Sequence, residues 1–440
     1  MKKKINMGFN KIKKNPFVLQ SLKTMFLRII GVVTLFGFSL FLTHNYDPKI
    51  IGQFDFIQKI LLVLSSICVL GTDQSILYFA GILKSTNETE KLKAIYQKII
   101  SLILLLSLVV FILFFFFGKS LIHFFFNDNN TYTLVLKAVV ILFFYSLTLL
   151  NTETIRALGR DYMAELFRNI FKYVTVIFGA IVLFYYHQED YLVDTFLIGF
   201  VALSIITTII IFWLFKKQKG DSTLPNDTNH FSYSFIAHKS YPMAISNVAI
   251  FLMMTLDVVF LKKFKGDEIV AYYSIAMKLV SILFLINNAV FISVSLKTAQ
   301  QFTDNNKVAL LNTMKQSSRL IFVLTVPIVA LVCFYSEGIL HFFGPNYIQA
   351  KQALLILMAG QLVASLFGIT TIYLNMTGRQ RIFQMVLILA VFLNFILNFI
   401  LIPKYSLTGA AIAFVSSLLF WNIITAFIIY KKDKLLIIMH

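Results

Sequence analysis

Stretches of about twenty apolar residues recur along the whole chain, and they leave few folds open to it. A hydrocarbon core about 30 Å thick needs about 20 residues of helix at 1.5 Å per residue to cross it. The sequence predicts twelve such helices, at 22–43, 54–80, 98–117, 133–152, 166–186, 192–215, 240–261, 270–296, 318–336, 350–375, 382–402 and 407–430. Turn-forming stretches punctuate them, among them "NYDPK" after the first, "FNDNN" after the third, "HQED" after the fifth, "GPNY" after the ninth and "PKYS" after the eleventh. With 58% hydrophobic and only 13% charged residues, the composition is not that of a soluble globular chain. The expected class is an all-α polytopic membrane protein.

Basic residues set the orientation, because cytoplasmic loops carry an excess of Lys and Arg. A cytoplasmic N-terminus places 28 of the 39 basic residues on the cytoplasmic side and eight opposite, with Arg28, Lys59 and Lys278 inside apolar runs. Both termini are therefore expected in the cytoplasm, and the cluster "KKFK" at 262–265 is the exception. The lysines at 2–14 precede an apolar run too long for a signal-peptide core, so the first helix is expected to be retained. Topology accounts for most of the net charge of +19, and no segment is long enough to form a soluble nucleic-acid surface.

The chain also echoes itself. "GQFDFIQKI" from Gly52 aligns with "AYYSIAMKL" from Ala271, "SLIHFFF" at 120 with "GILHFFG" at 338, and Gly159-Arg160 with Gly378-Arg379, at offsets of 219, 218 and 219. A nearly constant offset is the mark of parallel repeats, since six helices return the chain to the side it started from. The expected organisation is an N-lobe at 1–215, a cytoplasmic linker at 216–239 and a C-lobe at 240–440. Gly159 and Gly378 are read as permitting a tight reversal, and their arginines as anchors at the anionic leaflet.

The sequence holds no phosphate-binding G-x-x-x-x-G-K-[ST] loop, no H-E-x-x-H helix and no cluster of His and Cys at metal-ligand spacing. Cys68 and Cys333 lie in apolar runs and read as small core residues. No external loop is long enough to carry an enzyme active site, so the expectation is transport, with no catalysis and no metal. Ionisable residues within spans cost roughly 2.5–3.5 kcal/mol at the helix centre and tend to face a bundle interior or an aqueous cavity. The substrate-binding candidates are Arg28, Lys59 and Lys278, although a long side chain near a helix end can also snorkel to the headgroups. The ion-coupling candidates are Asp257, whose short carboxylate cannot snorkel far, and Asp73 in the polar patch "LGTDQSIL", where water access or a helix break is an equal reading. Lys262, about one turn from Asp257, is an alternative neutralising partner for it. The Phe-rich stretch "FILFFFFG" at 111–118 reads as lipid-facing bulk.

Five stretches, in order along the full length, carry a resemblance: "DPKIIGQFDF" (47–56), "ALGR" (157–160), "YPMAISNVAIFLMMTLDVVFLKKFKGDEIVAYYSIAMKL" (241–279), "FGPNYIQAKQALLILMAG" (343–360) and "LIPKYSLTGAAIAFVSSLLF" (401–420). The chain resembles the polysaccharide flippases of the multidrug/oligosaccharidyl-lipid/polysaccharide exporter superfamily, which include O-antigen and exopolysaccharide repeat-unit translocases. The resemblance implies two six-helix lobes around a central cavity in the bacterial inner membrane. It implies movement of an undecaprenyl-diphosphate-linked oligosaccharide to the periplasmic leaflet by alternating access, coupled to H+ or Na+ and using no other cofactor. The implied partners are the lipid-linked oligosaccharide, the bilayer and other polysaccharide-assembly membrane proteins. Asp257 stands where such proteins often carry an acidic residue in the seventh helix, whereas Ala271 departs from a common glycine that Gly52 retains. A multidrug/cation antiporter of the same superfamily is the alternative. It is expected to carry acids in its N-lobe helices, where Asp73 is the clear candidate, and the excess of cations over acids favours the anionic lipid headgroup.

Overall fold

The computed structural model describes residues 16–85, 88, 90–217, 231–304 and 306–435. The lysines at 2–14 and most of the expected linker, residues 218–230, lie outside them. Among the described residues there is no strand. In hydrocarbon no water satisfies backbone N–H and C=O groups, and a helix satisfies them within one segment.

In chain order the helices are α1 (Pro16–Asn45), α2 (Pro48–Val69), α3 (Thr72–Ser85), α4 (Lys91–Phe126), α5 (Asn129–Ala157) and α6 (Asp161–Leu166). A π-turn at Phe167–Phe171 joins α6 to α7 (Lys172–Tyr185), which is followed by α8 (Leu192–Lys217), α9 (Tyr233–Lys265) and α10 (Asp267–Thr303). Then come α11 (Lys307–Phe334), α12 (Ser336–Phe342), α13 (Lys351–Ser365), α14 (Thr370–Met376) and α15 (Gln380–Asp433).

Eleven helices among the described residues are long and apolar enough to cross a membrane. The eleventh is α15, whose 54 residues contain both of the last two expected spans. At about 1.5 Å per residue it is more than twice the length one crossing needs, and it breaks at Ser406 (φ 51°, ψ −126°), three residues after Pro403. Two other expected spans are interrupted. The span expected at 54–80 divides at Leu70 and Gly71, both at positive φ, and the one expected at 350–375 divides between Ser365 and Thr370.

Two compact units emerge. The first comprises 1–38, 68–112 and 139–241, and the second 39–67, 113–138 and 242–440. The second unit thus includes two stretches of the first sequence repeat. In the first unit, buried Asn151 is clasped by Tyr96, whose hydroxyl donates to Oδ1 at 2.6 Å, while its own amide donates to Thr207 and Thr208 at 2.9 Å. The second unit has an apolar core around Met314, Ile369, Tyr373, Phe383 and Leu387. On α4, Phe115, Phe116 and Phe117 are exposed, the placement that rings facing lipid require.

The two Gly-Arg pairs close helices in one way. Gly159 (φ 78°) and Gly378 (φ 74°) take the left-handed conformation that ends a helix, and the next N–H reaches back five residues. Arg160 N–H donates to Ile155 O at 3.1 Å, and Arg379 N–H to Leu374 O at 2.9 Å. Their side chains differ: Arg160 is exposed, whereas Arg379 is paired with Asp433 at the end of α15. The reading of both arginines as leaflet anchors is therefore corrected for Arg379, whose guanidinium ties two parts of the protein together.

Candidate functional site

Among the described residues, the intramembrane charges gather in one assembly in the first unit and, in the second, around Asp257 and at the Asp55–Lys278 pair. In the first unit, Arg28 on α1 meets Glu165 on α6. Its guanidinium donates to Oε1 at 2.6 Å and to Oε2 at 3.2 Å. Glu165 is 2% exposed and also accepts from Arg156 at 3.0 Å and from the Asn169 amide at 2.7 Å. Arg156 continues to Glu153 at 2.7 Å, and Arg168 reaches the other Glu153 oxygen at 2.8 Å. Three guanidinium groups thus hold two buried carboxylates, whose acceptors are filled as burial demands. The π-turn begins two residues after Glu165 and contains Arg168 and Asn169, and such turns are frequent at functional sites. Asp73 opens α3 just past the Leu70–Gly71 break. Its Oδ1 is buried without a hydrogen-bond partner, and Glu153 and Arg168 lie within electrostatic reach.

In the second unit, Asp257 on α9 is fully buried. It accepts from the Tyr273 hydroxyl at 2.9 Å and from the amides of Asn398 and Asn394 at 2.8 and 3.4 Å. Asn398 also donates to Asn394 Oδ1 at 3.0 Å. A carboxylate on α9 held by one hydroxyl from α10 and two amides from α15 has oxygens that can take up a proton or a small cation. Lys59 lies within electrostatic reach of Asp257. Lys262 pairs with Asp267 instead, so it is not the neutralising partner of Asp257.

Lys278 on α10 meets Asp55 on α2, at 3.0 and 3.1 Å from the two carboxylate oxygens. Nearby, Gln53 Nε2 donates to Asp267 at 3.3 Å. Gly52 explains why this position differs from Ala271 in the matching repeat: a Cβ on Gly52 would stand 1.8 Å from the Asp267 carbonyl oxygen. The "KKFK" exception is also accounted for. Lys262 sits over the Phe56 ring, Lys263 over the Phe125 ring at 3.8 Å, and Lys265 donates to the Pro403 carbonyl at 3.0 Å. These cations are held by rings, the Pro403 carbonyl and, for Lys262, the Asp267 carboxylate. On the α4–α5 turn, burial would raise the Asp128 carboxyl; hydrogen bonds from Thr131 and the Asn130 and Thr131 N–H groups, with the charge of Lys262, hold it below the usual range.

The structure brings Lys59 towards Asp257 and gives Arg28 and Lys278 carboxylate partners; Arg28 and Asp73 belong to one unit and Lys59, Asp257 and Lys278 to the other. Sequence reasoning missed Asp55, Glu153 and Glu165, so the expected excess of intramembrane cations over acids does not hold: all three are buried acids of the N-terminal half. The signal was present as a helix-length error, because the predicted spans stop one residue before Glu153 and start one residue after Glu165. It also missed Asn394 and Asn398, whose spacing of four puts both on one face of α15.

The family model described as "Polysaccharide biosynthesis protein" matches residues 12–296, and the MatE model matches 242–400. The uncharacterized membrane protein MJ1068 of Methanocaldococcus jannaschii is 26% identical over 270 residues, 59% of this chain and 51% of the relative. The chain thus matches about half the length of that relative. Among solved structures, an inward-facing multidrug resistance MATE family transporter of the MOP superfamily is similar with a TM-score of 0.73 at 13% identity, over 94% of this chain and 98% of the other. The lipid II flippase MurJ in an inward closed conformation is similar with a TM-score of 0.69 at 17% identity, over 94% and 87%. A transporter fold common to both neighbours and a family match over more than half of its length agree: this chain belongs to the polysaccharide biosynthesis protein family, within the multidrug/oligosaccharidyl-lipid/polysaccharide exporter superfamily of membrane transporters.

Proposed function

We propose that the protein flips an undecaprenyl-diphosphate-linked oligosaccharide from the cytoplasmic to the periplasmic leaflet of a bacterial inner membrane, by alternating access driven by a proton or sodium gradient. The observation that carries this reading is the polysaccharide biosynthesis match across residues 12–296. The similarity to a lipid II flippase supports a lipid-linked cargo. Physically, a sugar headgroup cannot cross hydrocarbon unaided, and a diphosphate needs cations to offset its desolvation. Arg28 and Lys59 are the cations assigned to that headgroup. Asp257, in its cage of neutral donors, is the ion-coupling group, with Asp73 as a second carboxylate.

A multidrug/cation antiporter of the same superfamily is the competing reading, and the buried acids Asp55, Glu153 and Glu165 favour it more than the sequence alone did. The deciding experiment uses proteoliposomes holding a fluorescent undecaprenyl-diphosphate oligosaccharide, with leaflet transfer read by an impermeant quencher. Transfer is expected under an imposed proton or sodium gradient and is expected to be abolished by Asp257→Asn. Gradient-driven export of cationic dyes by the same vesicles, with no lipid transfer, would overturn the flippase in favour of the antiporter.

A further inference from the structure

We infer that the Asp55–Lys278 ion pair is a latch between the two sequence repeats, in the predicted external halves of α2 and α10, and that it has to part for the transported headgroup to leave. The inference rests on the transport reading above. Asp55 lies seven residues into α2, which follows the predicted external turn "NYDPK", and Lys278 lies eleven residues, about 16 Å, into α10, which follows the turn at Gly266. The two repeats thus meet through oppositely charged side chains, both partners largely buried: the Asp55 side chain is 2% exposed and the Lys278 side chain 13%.

The surrounding contacts share this location. Gly52 lets α2 lie against the first residue of α10, Gln53 donates to Asp267, and Lys262 closes on Asp267 while covering the Phe56 ring. The second unit accordingly includes 39–67 and 113–138, the stretches that flank the predicted external turns of the first repeat, whereas the rest of that repeat forms the other unit.

The choice of an ion pair is informative. A well-packed apolar contact is often as stable as a buried ion pair or more so, so stability alone does not call for one. Charged surfaces differ in what happens when they part. Separated into an aqueous path, both groups are hydrated, whereas parted apolar faces would remain exposed to water. A pair at this seam therefore suits a contact that forms and breaks.

The repeats also show that the pair is not a by-product of duplication. At the offset of 219, Lys278 corresponds to Lys59 and Asp55 to Ser274, so the matching seam lacks the acid. Lys59 instead lies within electrostatic reach of Asp257, while Ser274 is buried with its hydroxyl lacking a hydrogen-bond partner. One lysine of the symmetric pair serves the coupling carboxylate, and the other holds the latch.

The test uses the full chain with Cys68→Ser and Cys333→Ser, and a reporter Ser274→Cys, labelled in intact cells by a membrane-impermeant maleimide. Asp55→Asn and Lys278→Met are each expected to raise the external labelling rate by roughly tenfold, as loss of the pair shifts the population towards the open form. The exchange Asp55→Lys with Lys278→Asp is expected to bring the rate back near that of the unmodified latch, which also separates a lost pair from a damaged fold. Unchanged labelling in the single variants, a rise shared by the exchanged pair, or a rise only from the cytoplasmic side of inverted vesicles would overturn the latch. Labelling that follows the expected pattern in a protein that moves no lipid-linked sugar would keep the latch and discard the substrate.

Discussion

Glu165 and Asp257 are both buried carboxylates in a membrane protein, and the two units hold them by opposite means. Glu165 is neutralised by cations: Arg28 and Arg156 bond to it, and Arg168 supports the neighbouring Glu153. Among the described residues, Asp257 accepts hydrogen bonds from neutral groups, the hydroxyl of Tyr273 and the amides of Asn394 and Asn398, with Lys59 within electrostatic reach. A charge bound by opposite charge is settled, because removing either partner strands the other. A charge bound by neutral donors is poised, since gaining a proton or a cation leaves no partner unpaired. The difference sets a charge-paired assembly in the first unit, which includes Arg28, against a carboxylate in the second that is proposed to exchange a proton or a cation.

The comparison is broken most severely at Glu165. Glu165→Gln leaves three guanidinium groups around one remaining carboxylate, and is expected to destabilise the protein by about 3–5 kcal/mol, read as a fall in unfolding midpoint in detergent. Tyr273→Phe removes one donor from Asp257 and is expected to cost about 1–2 kcal/mol in the same assay. Asp257→Asn keeps the shape and removes the charge, so its effect on stability is expected to be within about 1 kcal/mol, even though gradient-dependent transport is lost. If Asp257→Asn proved as destabilising as Glu165→Gln, the two carboxylates would be held alike and the contrast between the units would fail.

Much of the fold was legible because lipid imposes it. A run of apolar residues long enough to cross must be helical, and α1, α4, α5 and α8 follow from that alone. The break at Ser406 was legible as the turn "PKYS", and the polar patch "LGTD" admitted a helix break among its readings, while the span expected at 350–375 runs straight through its division between Ser365 and Thr370. The candidate site was legible one residue at a time. Asp257 and Lys59 stood out as charges where lipid disfavours them, but the partners of Asp257 lie 16, 137 and 141 residues away in sequence. Glu153 and Glu165 were hidden by spans drawn too short. Their arginine partners allow the helices to carry charge past the end of the apolar run, to Ala157 and from Asp161.

The sequence by itself determined that the chain crosses a membrane many times, that it is built from a repeat offset by about 219 residues, and that a few charges inside the spans require a reason. These properties are written in composition and spacing, because the hydrocarbon core acts on each segment separately. Only the tertiary structure decided which charges are spoken for. It tied Arg28 to Glu165 and Lys278 to Asp55, and left Asp257 among neutral donors. Pairing depends on which helices lie side by side, and no single segment contains that information.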